Sequence, residues 1–402
     1  MLLAQALARN AREIGDRVAY VAADGWTTTY RELDKLSDEV AVALARRHGV
    51  REGDVVGLVT PSNVDYVVAY AALTKLGACT AGVNPLLTAR ERAAAFDAAQ
   101  PRFVIATAEL TEGLPAAAEV LVTTMADHAG GIFADLRAGA RDEAPPALAP
   151  DPNRMTAICF MSGSSGLPKG VLFRERQIDA IAEMDMGSGG GWGAGVHSIA
   201  ATQHAHVGGM TKIPWMLASG STIHLLAKWR AAQVLELTEK YRLTTVNAGP
   251  TQVALMLRLP DFDRYDLSSV KLVVVGMGPS SPALIMEARE RFHAGYSVRY
   301  SSTESGGIGT GTAPDAPDEE AFYTIGRPRP GVEAKVADDD GRELPAGEIG
   351  ELWLRSPAVM SEYYVNPDET ARTLVGGRGA TATSATLGCS DRTFSTSSGY
   401  TL

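Results

Sequence analysis

Met155-Thr-Ala-Ile-Cys-Phe-Met161, running into Ser162-Gly163-Ser164-Ser165-Gly166-Leu167-Pro168-Lys169-Gly170-Val171, is an apolar run followed by glycines, hydroxyls and one cation. An uncharged run of this length reads as a buried strand, so the glycines and serines form the turn that leaves it. Gly163, Gly166 and Gly170 let backbone N–H groups point into one concavity, Ser162, Ser164 and Ser165 add neutral donors, and Lys169 adds a mobile cation. That inventory suits a triphosphate. The common nucleotide loop places its lysine directly after glycine and before Ser or Thr, whereas Lys169 follows Pro168 and precedes Gly170. A Ser/Gly surface turn is the plainer alternative for the same residues.

Working outward, the N-terminal third alternates strands and helices. Thr29-Tyr-Arg-Glu32 is a capping-box pattern, followed by Leu33, Leu36, Val40 and Leu44 at helical spacing and a stop at Gly49. Val55–Val59 reads as a buried strand, 66–76 and 89–99 as helices, and 102–106 as a further strand. The middle third repeats the pattern, with strands at 222–226 and 271–275 and helices at 231–241 and 282–292. Alternation of this kind predicts α/β architecture with parallel sheets covered on both faces. The expected organisation is an α/β subdomain over 1–150 ending in the proline-rich linker Pro145–Pro152, and a second doubly wound subdomain over 151–322 facing the first. A small antiparallel, barrel-like β unit follows over 323–375, with strands at 332–337 and 350–354.

Composition narrows the possibilities. A chain of 402 residues with 45% hydrophobic content can bury a large core. No apolar run approaches the roughly 18 residues needed to span a bilayer, and Arg9 and Arg12 interrupt what would be a signal peptide. Cys79, Cys159 and Cys389 are too scattered for a disulfide framework or a zinc site, which fits a reducing, cytoplasmic setting. A formal charge of −10 argues against nucleic acid as a partner, so an anionic ligand must be held by local donors. Gly187–Gly195, around Trp192, reads as a flexible loop or a substrate-access loop.

Tyr300-Ser301-Ser302-Thr303-Glu304 follows a short β-like run at 296–299, and a carboxylate at a strand end can hold Mg²⁺ beside a triphosphate. An exposed turn carboxylate would look the same. Gly276-Met277-Gly278-Pro279 ends another strand, where glycines let a planar ring lie against backbone. His204-Ala-His206-Val207-Gly208-Gly209 carries histidines on a loop, where a solvated side chain is the commoner outcome. Asn247-Ala248-Gly249 is a strand-to-helix turn lined by small residues.

Together these segments resemble the adenylate-forming superfamily of acyl- and aryl-CoA synthetases, luciferases and peptide-synthetase adenylation domains. Its phosphate loop reads Ser-Gly-Thr-Thr-Gly-x-Pro-Lys-Gly-Val, with serine here at 164 and 165, and its Tyr-Gly-x-Thr-Glu motif is matched from Tyr300, with Ser301 in place of glycine. Tyr323–Pro328 and Gly347–Trp353 also follow the family order, so the likeness covers about residues 10 to 375. The resemblance implies ATP-dependent activation of a carboxylic acid to an acyl adenylate, with transfer to CoA. It assigns Lys169, Ser162, Gly163, Ser164, Ser165, Gly166 and Thr303 to phosphate, Glu304 to Mg²⁺, Gly276–Pro279 to adenine, and Tyr300–Ser302 to the nucleotide. It places His206, Val207, Gly208, Asn247, Ala248, Gly249, Gly276 and Met277 around the acid, His206 lining the site and not moving a proton, because a carboxylate nucleophile is already ionised at neutral pH. A small-molecule acid, CoA and a second copy of the chain are the expected partners. Transfer of the adenylate to an amine, and a catalytically silent nucleotide- or acyl-binding protein, remain the rival readings.

Past Tyr363–Thr373 the pattern breaks. Relatives continue with a Gly-Asp hinge and a small mobile domain bearing a lysine, whereas 376–402 is rich in Ser and Thr and reads as an aberrant, unstructured tail. One set of synonymous codons for Gly379 to Leu387, read one base out of phase, gives Arg-Tyr-Gly-Asp-Leu-Gly-Tyr-Val. A frameshift near Arg378 is therefore expected, with slow adenylation by the chain as it stands; an ordinary low-complexity tail is the alternative.

Overall fold

The computed structural model describes residues 2–140, 143–162, 167–187, 193–200, 202–338, 340–375 and 385–394. The chain divides into two compact units, residues 1–227 with 360–370 and residues 228–359 with 371–402.

The first unit is built on a seven-stranded sheet in the order Glu362–Tyr363, Pro168–Arg174, Met155–Ser162, Cys79–Gly82, Val55–Val59, Phe103–Thr107, Glu119–Thr123. The run from Met155–Ser162 to Glu119–Thr123 is parallel, and the first two strands are antiparallel additions at one edge. Every residue of Val55–Val59 is buried, which its unbroken apolar sequence requires. Helix Ala89–Ala99 lies so close that a Cβ on Gly57 would come within 2.6 Å of Phe96 Cε1 and 3.2 Å of Val104 Cγ2. Glycine at 57 therefore lets the Phe96 ring rest on the strand.

A second sheet in this unit orders Thr27–Thr29, Val18–Val21, Thr222–Leu225 and His197–Ala200, the last three parallel. The capping box forms as its sequence predicts: Thr29 accepts from the Glu32 N–H, the Glu32 carboxylate accepts from the Thr29 N–H, and helix Tyr30–His48 ends on Gly49 at φ 63°. Tyr30 ties this helix to the sheet by donating to the Ser221 carbonyl at 2.7 Å.

Two expectations are corrected here. Residue 150 does not separate two sheets, because the strand that follows the prolines inserts in parallel beside Cys79–Gly82. The linker only routes the chain back to the same sheet. Thr222–Leu225, expected in the 151–322 subdomain, belongs to the first unit, where it pairs with Val18–Val21. A short apolar strand carries no mark of which neighbour it will take.

In the second unit, Thr245–Ala248, Leu272–Val275 and Gly295–Tyr300 run parallel and are continued by antiparallel Thr310–Gly311 and Arg327–Pro328. Helices Pro250–Leu257 and Pro282–Phe292 make the crossovers. The unit's other sheet is antiparallel and four-stranded, in the order Glu333–Ala337, Gly350–Ser356, Ala385–Phe394, Leu374–Val375. It is an open sheet where a barrel-like unit was expected. Ala385–Phe394 also departs from the reading of 376–402 as unstructured: it pairs along Gly350–Ser356, whose second edge would otherwise present unpaired N–H and C=O groups. Among the described residues no helix is long and apolar enough to cross a membrane.

Candidate active site

Lys169 is the residue on which the phosphate reading turns. It does not sit in the loop but on the strand Pro168–Arg174, opposite Met161 in the antiparallel pair that the loop joins. Nor is it a mobile cation. Its ammonium is ion-paired with the Glu369 carboxylate and lies 5.2 Å from the centre of the Tyr363 ring, with 13% of the side chain exposed. Gly170 belongs to the strand too: it is buried opposite Phe160, a Cβ there would meet Ile158 Cγ2 at 3.0 Å, and its carbonyl accepts from the Tyr364 N–H at 2.7 Å. This glycine is required by sheet packing and not by a phosphate cradle. Gly163, Ser164, Ser165, Gly166 and Trp192 lie outside the described residues, as does the side chain of Ser162.

The histidine segment lies in the same unit. His206 precedes the short helix Val207–Met210, and its Nε2 lies 3.2 Å from Asn84 Nδ2. The residue is exposed, yet partial desolvation of the ring lowers its pKa and favours the neutral form. Val207 is half-buried and Gly208 exposed. Gly209 is fixed by space, because a Cβ would fall 2.5 Å from the Gln203 carbonyl oxygen. His204 is a different kind of histidine: it is 2% exposed, packs 5.3 Å from the Tyr66 ring, and has an Nδ1 with no hydrogen-bond partner. Burial pushes its pKa down to about 4, so it is neutral at ordinary pH.

In the second unit, three of the predicted segments meet. Ala248, Val275 and Val298 are aligned across the parallel strands, so Gly249, Gly276–Pro279 and Tyr300–Glu304 emerge side by side from the carboxyl ends. Asn247 is exposed on its strand, and Ala248 and Gly249 are buried beside it. The Gly276 N–H donates to the Ala248 carbonyl at 3.4 Å, and a Cβ on Gly249 would touch Met277 Cε at 3.3 Å. Met277 takes a left-handed conformation at φ 67° and is 77% exposed. Gly278 and Pro279 are exposed as well, leaving backbone open to a flat ring. Ser280 and Tyr296 bond at 2.8 Å and tie this loop to the strand beneath.

The turn after Tyr300 is a closed network. Ser302 N–H donates to Ser305 Oγ at 3.0 Å, Ser305 N–H donates to Ser302 Oγ at 3.1 Å, and the Gly306 N–H donates to the Thr303 carbonyl at 3.0 Å. The turn leaves Ser301 exposed and Thr303 half-buried, with Glu304 only 8% exposed. Ser301, which stands where the resembling motif has glycine, does not adopt a left-handed conformation, so the exchange costs no backbone strain there.

Sequence reasoning missed Glu369, Tyr363 and Asn84. Glu369 lies in the first turn of helix Pro367–Thr373, and an acid there is ordinary helix chemistry. Nothing local ties it to a lysine 200 positions earlier.

Comparison with known proteins gives these segments a context. The sequence model described as AMP-binding enzyme matches residues 7–364. The fatty acid–acyl-carrier-protein ligase ScoC of Streptomyces coeruleorubidus is 30% identical over 365 residues, covering 89% of this chain and 69% of that protein. The probable CoA ligase CCL5 of Humulus lupulus is 30% identical over 382 residues, covering 89% and 67%. Among solved structures, the amide bond synthetase McbA of Marinactinospora thermotolerans superposes with a TM-score of 0.85 at 28% identity, covering all of this chain and 78% of that one. With the family model matching residues 7–364, the protein belongs to the AMP-binding, adenylate-forming ligase family.

Proposed function

We propose that this chain activates a small carboxylic acid with Mg·ATP and that CoA is the acceptor of the acyl group. In the first step a carboxylate oxygen attacks the α-phosphorus, forming a P–O bond as the bond to pyrophosphate breaks. In the second the CoA thiolate attacks the acyl carbonyl and AMP leaves. The observation that carries the reading is the alignment of Gly249, Gly276–Pro279 and Tyr300–Glu304 at the carboxyl ends of adjacent parallel strands, where open α/β sheets bind ligands.

The residues fit the groups assigned to them. Exposed Gly278 and Pro279, beside half-buried Gly276, take adenine, and Thr303 offers a hydroxyl to phosphate. Among the described residues no cluster of three metal-ligating side chains exists, and Glu304 is the ligand assigned to the ion in this reading. That suits Mg²⁺, which usually keeps several waters and takes its remaining oxygens from substrate phosphates. When bound, the ion neutralises charge on the phosphates and polarises them. By the resemblance alone, Lys169 would supply positive charge to the phosphates, Asn247, Ala248 and Met277 would border the acid, and His206 with Val207 and Gly208 would line the acid. Positioning and preorganised charge supply the catalysis.

A second reading, transfer to a nitrogen nucleophile, is favoured by the likeness to an amide bond synthetase. Incubation with ATP, Mg²⁺ and a panel of carboxylic acids, with CoA, simple amines or acyl carrier protein as acceptor, separates the readings by product mass. A thioester of CoA supports the proposal. An amide with no thioester transfers the reading to a nitrogen acceptor.

A further inference from the structure

The contact that most needs an explanation is the one Lys169 makes. Residues 361–364 run along the edge of Pro168–Arg174: the Ser361 N–H donates to Leu172 O at 2.9 Å, Tyr364 N–H to Gly170 O at 2.7 Å, and Arg174 holds Ser361 Oγ and the Glu362 carboxylate, each at 2.9 Å. The chain then reverses at Val365, which sits at φ 47° and is 57% exposed. A β-branched residue in the left-handed region is a strained outlier, and this one gains little from burial. Beyond it the Asn366 side chain accepts from the Glu369 N–H at 3.3 Å, and Thr370 Oγ1 bonds the Asn366 carbonyl at 2.8 Å and accepts from the Tyr363 N–H at 3.0 Å. The strained turn and its bonded frame deliver the Glu369 carboxylate to Lys169.

A carboxylate on a lysine presents the same acceptor chemistry as a phosphate oxygen. We propose that Glu369 is a built-in substitute for phosphate on Lys169, holding the ammonium in the nucleotide-free protein and yielding it when the triphosphate enters. The inference rests on the phosphate role proposed above for Lys169. Glu369 thereby sets nucleotide affinity, because every phosphate that engages Lys169 displaces a tethered anion and then lies within a Debye length of it. Tyr363 keeps the ammonium over its ring in either state, which shortens the exchange.

Calorimetric titration of the 402-residue protein with Mg·ATP tests this, using Glu369→Gln, Glu369→Asp and Lys169→Ala, with thermal unfolding recorded for each. Glu369→Gln is expected to tighten binding about three- to tenfold, the scale of one partly buried ion pair. Glu369→Asp keeps the charge and is expected to stay within about twofold of the parent, and Lys169→Ala is expected to weaken binding. If Lys169→Ala weakens binding while Glu369→Gln leaves it unchanged or weakens it too, Glu369 supports the lysine instead of competing for it, and the inference is overturned with the phosphate reading intact. Tightening by Glu369→Asp equal to that by Glu369→Gln would overturn competition by charge. Unchanged affinity in Lys169→Ala would remove the lysine from the phosphate role and take the inference with it.

Discussion

His204 and His206 stand two residues apart and do opposite things. His206 is open to solvent and faces Asn84; His204 is sealed against Tyr66 with an unpartnered Nδ1. Because burial holds the His204 pKa near 4, below the usual histidine value of 6.5, the unfolded chain binds a proton that the folded one refuses. Its neutral form favours folding fully above about pH 6.5, and that contribution is lost as pH falls toward 4. Asp65, raised by burial to about 6, acts in the reverse direction over much of the same window, since the folded state takes its proton first. The two oppose each other in the parent, so only a difference measurement separates them. His204→Gln should gain on the parent as pH drops from 7.5 to 4, by up to about 3 kcal/mol in denaturant unfolding. Parallel pH profiles for the two proteins would show that the ring is not the proton acceptor described.

At the level of elements, several helices were legible because their ends are written locally. Thr29 with Glu32 and Gly49 bound one helix, and 89–99, 231–241 and 282–292 match the expected ranges residue for residue. Pairing was not legible. Val18–Val21 joins Thr222–Leu225 far along the chain, with His197–Ala200 on its other side, and Pro168–Arg174 hid its strand character behind a proline and a glycine that also suit a loop. The same holds in the site: Tyr300–Glu304 and Gly276–Pro279 announce themselves by residue type at strand ends, whereas Glu369 reaches Lys169 only through tertiary structure. Gly57 shows how tightly one element can constrain another. Gly57→Ala would drive a methyl group into Phe96 and Val104, and overpacking of a buried strand typically costs about 1–3 kcal/mol. A loss of that order should appear as a lower urea midpoint at unchanged slope; a midpoint within error of the parent would mean that helix Ala89–Ala99 can move aside.

For the molecule as a whole, the proposed function requires that a carboxylic acid and Mg·ATP react on this chain to give an acyl adenylate. Family membership supplies the reaction class, and the acid and acceptor are for the assay to identify. Glu304, 8% exposed in the turn framed by the Ser302–Ser305 hydrogen bonds, is the most direct handle on the reaction. Its replacement by glutamine keeps shape and removes the proposed Mg²⁺ ligand, so the loss falls on the chemical step, by roughly 10²–10³ in rate, and little on acid binding. The decisive measurement is acid-dependent exchange of labelled pyrophosphate into ATP, run across a panel of carboxylic acids with the parent and with Glu304→Gln. The account predicts Mg²⁺-dependent exchange with at least one acid class and its near loss in the variant. Exchange that ignores Glu304→Gln would contradict the metal assignment, and no exchange with any acid by a folded, ATP-binding parent would contradict adenylate formation itself.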